Sequence, residues 1–184
     1  MVGLSISETS IPGLLDIDLP VHGDNRGWFK ENYHAAKLQA LGLPKLNVVQ
    51  CNISFNEEAG VTRGIHAEPW DKYISIATGS VFSAIVDLRQ GATFGRLETF
   101  ELTPEKGLYV PQGCGNSFQT LEPNTAYVYL VNTHWSPEAK YVFCNLFDEE
   151  LAIKWPIPRD KAILSDKDSN HPALKDVVPM EVQA

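Results

Sequence analysis

The chain has 184 residues, a formal net charge of −8, 43% hydrophobic residues and 21% charged residues. That length makes one domain the expectation and allows a real hydrophobic core. The acidic balance argues against a general nucleic-acid binder, which needs surplus cations to neutralise phosphates, although local cations can still hold a small phosphorylated ligand.

Residues 1–20 carry no basic region followed by an apolar run, since Asp16 and Asp18 interrupt the apolar residues. No stretch approaches the roughly 18 uninterrupted apolar residues of a membrane span, so neither a signal peptide nor a span is read. Cys51, Cys114 and Cys144 are odd in number and share no CxxC spacing, which suits reduced, buried thiols in a cytoplasmic protein better than a disulfide framework.

In chain order, a brief helix is expected over His34–Leu41. A half-buried strand over Leu46–Phe55 follows, mixing β-branched and polar residues at roughly alternate positions. Lys72–Ala77 and Val81–Leu88 read as strands joined by a Thr78-Gly79-Ser80 hairpin turn. Leu97–Leu102, Gly107–Val110, Asn116–Leu121 and Ala126–Asn132 continue the series, with Gly91, Pro104, Pro111, Gly113 and Pro123-Asn124 between them. A helical turn or two is expected around Asp148–Ile153. Many short strands punctuated by Gly and Pro predict an all-β jelly-roll sandwich or barrel with short flanking helices. The layout is a single domain: an N-terminal arm and helix over about 1–45, a core over about 46–147, and a polar C-terminal wrap over about 148–184.

Arg63-Gly64-Ile65-His66, followed by Trp70-Asp71-Lys72-Tyr73, sets one imidazole beside two cations on consecutive strands. Histidine is the side chain whose unperturbed pKa lies nearest neutrality, so a candidate base stands where an anionic ligand could be held. Arg63 and His66 are three residues apart and would point to opposite faces of a regular strand. Gly64 suggests a bend that brings both to one pocket mouth. Lys72 reads either as a solvated edge charge or as a cation for a developing oxyanion. Tyr127 and Tyr129 share one side of a strand, as core aromatics or with Tyr129 as a phenolic acid. Asp168, in the polar run Ser165-Asp166-Lys167-Asp168, is either a solvated charge or the carboxylate that orients the imidazole. Trp28 and Trp135 are core residues or platforms for a nucleobase. His22, His34, His66, His134 and His171 are scattered singly, and Glu68 beside His66 does not make a ligand set, so no metal site is expected. Cys51 reads as packing rather than as a nucleophile.

Eight segments in order carry a resemblance. They begin with Gly23-Asp-Asn-Arg26-Gly-Trp28-Phe-Lys-Glu31, Gln50-Cys-Asn52-Ile-Ser54 and Arg63-Gly-Ile-His66. Val86-Asp87-Leu88-Arg89 with Phe94-Gly95, and Val110-Pro111-Gln-Gly113 with Asn116-Ser-Phe118, follow. Tyr129-Leu-Val-Asn, Ile153-Lys-Trp155-Pro156 and Leu164-Ser-Asp-Lys167-Asp168 complete the series. Across almost its whole length the chain resembles the dTDP-4-dehydrorhamnose 3,5-epimerases, which are cupin-like jelly rolls that work without a metal or cofactor.

The resemblance implies that His66 is the general base with Asp168 as its partner, that Tyr129 is the general acid, and that Lys72 stabilises charge at the C4 oxygen. Arg63, with Arg26 from the partner subunit of a homodimer, would grip the diphosphate. Phe29, Glu31, Gln50, Asn52, Asn116, Trp135 and Lys167 would complete the binding site for a dTDP-sugar. Two departures stand out: many members have His where this chain has Asn116, and Tyr where it has Trp135. Inversion at both C3 and C5 is the leading expectation. Inversion at one centre only, or isomerisation of the keto sugar, is the nearest alternative. A non-catalytic sugar-nucleotide-binding barrel is the third, and loss of His66, Tyr129 or Asp168 would be its mark.

Overall fold

The computed structural model describes residues 3–182. In chain order its elements are β1 (Ser5–Glu8), β2 (Leu15–Asp18), β3 (His22–Asp24), β4 (Gly27–Phe29), α1 (Ala35–Ala40), β5 (Gln50–Asn56) and β6 (Thr62–Ala67). There follow β7 (Lys72–Thr78), β8 (Val81–Asp87), β9 (Leu97–Leu102), β10 (Lys106–Val110), β11 (Cys114–Thr120), β12 (Thr125–Val131) and β13 (Val142–Phe143). A six-stranded sheet runs β1-β2-β10-β7-β12-β5, and a five-stranded sheet runs β13-β6-β11-β8-β9. The pairings within both sheets are antiparallel, and the two sheets enclose a jelly-roll core.

Side-chain alternation assigns each strand face to a different task. On β7, Ile74 and Ile76 point between the sheets with Ile85, Leu108, Phe118 and Tyr127, while Tyr73 points outward into a second cluster with Leu38 of α1. Lys72 shares the inward parity of Ile74 and Ile76 and so stands at one end of the interior. Strands buried on both faces read as near-continuous apolar runs, which is why β7 and β8 show weak alternation in the sequence. The outer face of the five-stranded sheet is covered by the C-terminal segment. Leu146, Leu151, Leu174, Val177 and Met180 pack on Ile65, Ala67, Val86 and Leu88.

Several expected elements take a different form. Thr78-Gly79-Ser80 is not a hairpin, because β7 lies between β10 and β12 in one sheet while β8 lies between β11 and β9 in the other. The turn therefore crosses between sheets, and Gly79, at φ 76°, sits where a Cβ would strike Thr125. The strand expected from Leu46 begins at Gln50, since Leu46 is drawn under α1 into the outer cluster. No helix forms over Asp148–Ile153. The Asp148 carboxylate instead accepts from the backbone N–H groups of Glu150, Leu151 and Leu174, and Ala152 turns the chain at φ 47°. The N-terminal arm contributes β1 and β2 to the larger sheet and a projecting β3–β4 hairpin, none of which the apolar pattern had marked.

Candidate active site

The site begins with an irregularity in β6. Against β11, His66 pairs with Asn116 and Arg63 with Phe118, so three steps on β6 match two on β11. The extra residue is a bulge, and it cancels the parity that would separate Arg63 from His66. Gly64 adopts φ 127°, and a Cβ there would lie 2.4 Å from the Cβ of Ser117, so the close approach of β6 to β11 requires glycine. Both Arg63 and His66 consequently line one cavity of about 240 Å³ between the sheets, with Lys72, Asn116, Tyr129 and Asp168.

His66 Nε2 lies 2.8 Å from Asp168 Oδ1, across 102 residues of sequence. Asp168 is buried on a 3₁₀ turn, Asp168–Asn170, and its backbone N–H donates to Ser165 Oγ. Burial works to raise the Asp168 carboxyl, but hydrogen bonds from His66 and Gly64 and the nearby imidazoles hold it below the usual carboxylate range. An ionised carboxylate only accepts, so His66 Nε2 carries the hydrogen and Nδ1 is the ring nitrogen left for substrate. The imidazole is packed edge-on against Phe143 and His171, at 5.5 and 5.3 Å between centroids, and those two rings stack on each other at 4.8 Å. His171 Nδ1 donates to the Gly64 carbonyl at 3.1 Å; burial, then the neighbouring His66, pushes its pKa below the ordinary histidine value.

Lys72 is almost wholly buried, and its ammonium pairs with the Glu68 carboxylate. It is a buried, ion-paired charge facing the cavity, not a solvated edge residue. Tyr129 is partly buried with its ring in the cavity. Burial first, then Glu68, raises its pKa against the opposing pull of Arg63, so the phenol keeps its proton at neutral pH. Tyr127 takes the other role: it is fully buried, stacks on Phe118 at 4.2 Å, and donates its hydroxyl to Asn116 Oδ1 at 3.0 Å. Arg63 is steadied by Nε donating to Asn56 Oδ1 at 3.0 Å.

Outside the inner cavity, Glu68 and Tyr129 also border a wider groove of about 710 Å³ with Trp135, Lys140, Tyr141, Phe143 and Lys167. Lys167 Nζ stands 5.0 Å from the Phe143 ring. Gln50 and Asn52 line the adjoining edge, joined at 2.7 Å, and Gln50 Oε1 accepts from the Trp135 backbone N–H at 3.0 Å. An apolar-and-cationic groove thus leads into a small polar chamber.

Three expected binding residues lie elsewhere within this chain. Arg26 sits at the exposed tip of the β3–β4 hairpin, paired with Asp24, and Phe29 is 65% exposed. Glu31 pairs with Lys37. Phe29 and Glu31 border a separate groove with Leu4, Leu19 and His34. Two residues of the site were not singled out in the sequence as part of it. Glu68 had a usable signal, since a residue two positions after His66 shares its strand face. His171 did not stand out because the five histidines look scattered, yet folding brings it against His66 and Asp168.

The chain is similar to known proteins over nearly its whole length. The family model for dTDP-4-dehydrorhamnose 3,5-epimerase matches residues 8–176. A protein described as an RmlC homolog from Streptococcus pyogenes serotype M6 is 47% identical over 93% of this chain and 89% of its own length. RmlC from Streptococcus suis, solved in complex with dTDP-D-xylose, superposes with a TM-score of 0.91 at 46% identity, covering 98% of this chain and 96% of that one. The dTDP-6-deoxy-D-glucose-3,5-epimerase RmlC from Legionella pneumophila Philadelphia 1, in complex with dTDP-4-keto-L-rhamnose, gives a TM-score of 0.88 at 29% identity over 99% of this chain and 100% of that one. With the family model spanning nearly the whole chain and the fold shared throughout, the chain belongs to the dTDP-4-dehydrorhamnose 3,5-epimerase family.

Proposed function

We propose that this enzyme epimerises dTDP-4-dehydro-6-deoxy-D-glucose at C3 and C5 to give dTDP-4-dehydro-L-rhamnose, in deoxysugar biosynthesis. The observation that carries the chemistry is the His66–Asp168 pair facing the same cavity as Tyr129 and the buried Lys72. A C4 ketone makes the hydrogens on C3 and C5 acidic. His66 Nδ1 removes one of them, the C–H electron pair becomes the enolate π bond, and the carbonyl pair moves to O4. The Lys72 ammonium donates to that oxygen within a cavity where its charge is weakly screened. Asp168 holds the imidazole in one tautomer and stabilises the imidazolium that forms. Tyr129 then delivers a proton to the opposite face of the carbon, which inverts it, and solvent returns His66 and Tyr129 to their starting states. The same base serves both carbons because both flank one carbonyl. The scheme requires no metal and no redox cofactor.

The small chamber suits the sugar ring, and the wider groove suits the nucleotide, with Trp135 as a stacking platform for thymine and Lys167 beside the aromatic wall. Arg63 faces the diphosphate. Arg26 reaches a site only by crossing to a partner, and we place it, with Phe29 and Glu31, in the second subunit's pocket of a homodimer. An apolar outward face on the edge strand β5, with Ile53 68% and Phe55 54% exposed, supports such an interface. Among the described residues no helix is long and apolar enough to cross a membrane, and the free cysteines suit the cytoplasm, where nucleotide sugars are made. The enzyme works there as one domain.

Incubation with dTDP-4-keto-6-deoxyglucose in deuterated water tests this reading. Deuterium at both C3 and C5, with the L-configured product, is expected. Label confined to one carbon would replace it with a mono-epimerase, and binding without any exchange would make the chain a sugar-nucleotide-binding barrel.

A further inference from the structure

His171 has no part in the scheme above, yet its side chain is only 6% exposed and is aimed at the dyad. The Gly64 carbonyl can only accept, so the bond at 3.1 Å puts a hydrogen on His171 Nδ1. That leaves Nε2 as the free lone pair, buried and without a hydrogen-bond partner, 3.8 Å from Asp168 Oδ1. Asp168 Oδ1 also accepts from His66 Nε2, and one ligand atom from each of the three residues falls within 4.8 Å of the others. Two imidazoles and one carboxylate converge on one point, and His66, the most exposed of them, opens onto the substrate cavity.

From this convergence we infer that His66, Asp168 and His171 form a latent site for one borderline transition-metal ion, of the zinc type, and that its occupancy silences the base. The inference of binding is independent of the proposed reaction; only the inhibitory consequence rests on it. The donor set is that of an open zinc site, with three protein ligands and a fourth position for water. His171 already has the outer support that ligating histidines use, a backbone carbonyl holding the far N–H. Tetrahedral zinc with bonds of about 2.0 Å needs ligand atoms about 3.3 Å apart. The 2.8 Å pair must therefore open slightly, and the ligand atoms, now spread over as much as 4.8 Å, must close to that spacing, movements of up to about 1.5 Å that the partly exposed His66 ring can absorb.

The consequence follows from proton bookkeeping on one ring. A metal at His66 Nε2 displaces the hydrogen shared with Asp168, and the neutral imidazole keeps it at Nδ1. The nitrogen that faces the sugar then becomes a donor and can no longer accept a proton from carbon. Asp168 is simultaneously taken from His66 by the metal. Catalysis needs no metal in this account, and the metal acts only as an inhibitor.

Zinc and cobalt(II) are the probes, added to metal-free enzyme, with His171→Phe and His171→Asn as variants. Phenylalanine keeps the stacking on Phe143 and removes both nitrogens; asparagine keeps a polar group in the site but withdraws the imidazole. Expected for the unaltered enzyme are one zinc per chain by calorimetry, the visible absorption of a low-coordinate cobalt(II) site, and inhibition reversed by a chelator. Both variants should bind zinc about 100-fold more weakly or worse, and should lose zinc sensitivity relative to their own uninhibited rates. Unchanged zinc affinity in both variants, or no stoichiometric binding by the unaltered enzyme, would overturn the site. Stoichiometric binding with full activity would overturn the inhibitory role. The calorimetric and spectroscopic readouts require no turnover, so a failure of the epimerase reading would not imitate a failure here.

Discussion

The ammonium of Lys72 meets the carboxylate of Glu68 inside the cavity, with the two side chains 5% and 13% exposed. Each charge makes the burial of the other tolerable, and removing one leaves an uncompensated buried ion. Glu68→Gln is therefore expected to destabilise the fold by about 3–5 kcal/mol, the range found when one partner of a buried pair is removed. Denaturant unfolding measures it. The double variant Glu68→Gln with Lys72→Met should lose much less than the sum of the two single changes. Simple additivity would show that the pair is not coupled.

Asp168 provides a pH signature. Its folded pKa is depressed, so the stability it contributes is present above its unfolded value, about 3.9, and is lost as pH falls through the lower folded value. Against Asp168→Asn, the part of the stability gap that comes from the ionised carboxylate should close as pH falls below about 4. In activity, Asp168→Asn removes the acceptor that sets the His66 tautomer, and kcat should drop by about 100-fold or more with nucleotide affinity retained.

Isotope exchange separates base from acid. His66→Asn is expected to abolish deuterium uptake at both carbons while dTDP still binds, because Trp135, Lys140 and Lys167 of the outer groove are unchanged. In Tyr129→Phe, His66 can still remove a proton and return one from its own side. Exchange without inversion should persist at a reduced rate. Undiminished inversion in Tyr129→Phe would assign the acid to another group, and full exchange in His66→Asn would displace His66 as the base.

Gly64 tests the bulge. A methyl at this position meets Ser117 and Asn116 within 2.4–2.8 Å and is forced to a φ that side chains avoid, so Gly64→Ala should cost about 3 kcal/mol or more and disturb His66 and Arg63 together. Gly42 is the control. It also has a positive φ, 103°, but nothing lies within 4 Å of a Cβ there. Gly42→Ala should cost only the backbone penalty, about 1–2 kcal/mol, with activity intact. Equal losses in the two variants, by thermal unfolding, would mean that packing against β11 is not what requires glycine at position 64.

Most strands that form the core were legible because short apolar runs bounded by Gly and Pro leave few other solutions, and the boundaries of β9 match the expected segment from Leu97 to Leu102; β2, with Leu15 and Ile17 buried, was not. The jump of Thr78-Gly79-Ser80 between sheets was not legible. A tight turn looks alike whether its strands pair with each other or with distant partners, and that choice rests on who occupies the edges of β7 and β8. The hairpin bearing Arg26 and Phe29 was missed as structure because its exposed residues follow no burial pattern.

For the site, local chemistry marked Arg63, His66, Lys72 and Tyr129, since Gly64 beside a histidine and an arginine is a short-range signal of an irregular strand. The sequence by itself determined an all-β chain whose ordered motifs carry the parts of a sugar-nucleotide epimerase. Only the tertiary structure decided which of those parts meet. Local chemistry leaves Asp168 between a solvated charge and the partner of the imidazole until a 3₁₀ turn sets it 2.8 Å from His66, it leaves Lys72 between an edge cation and a site cation until Glu68 closes on it, and His171 reads as a stray histidine until Gly64 holds it against the dyad. Those pairings join residues that no strand or helix period relates, or, for Lys72 and Glu68, residues separated by a turn. Register, the bulge at Gly64 and the path of the C-terminal segment bring them together.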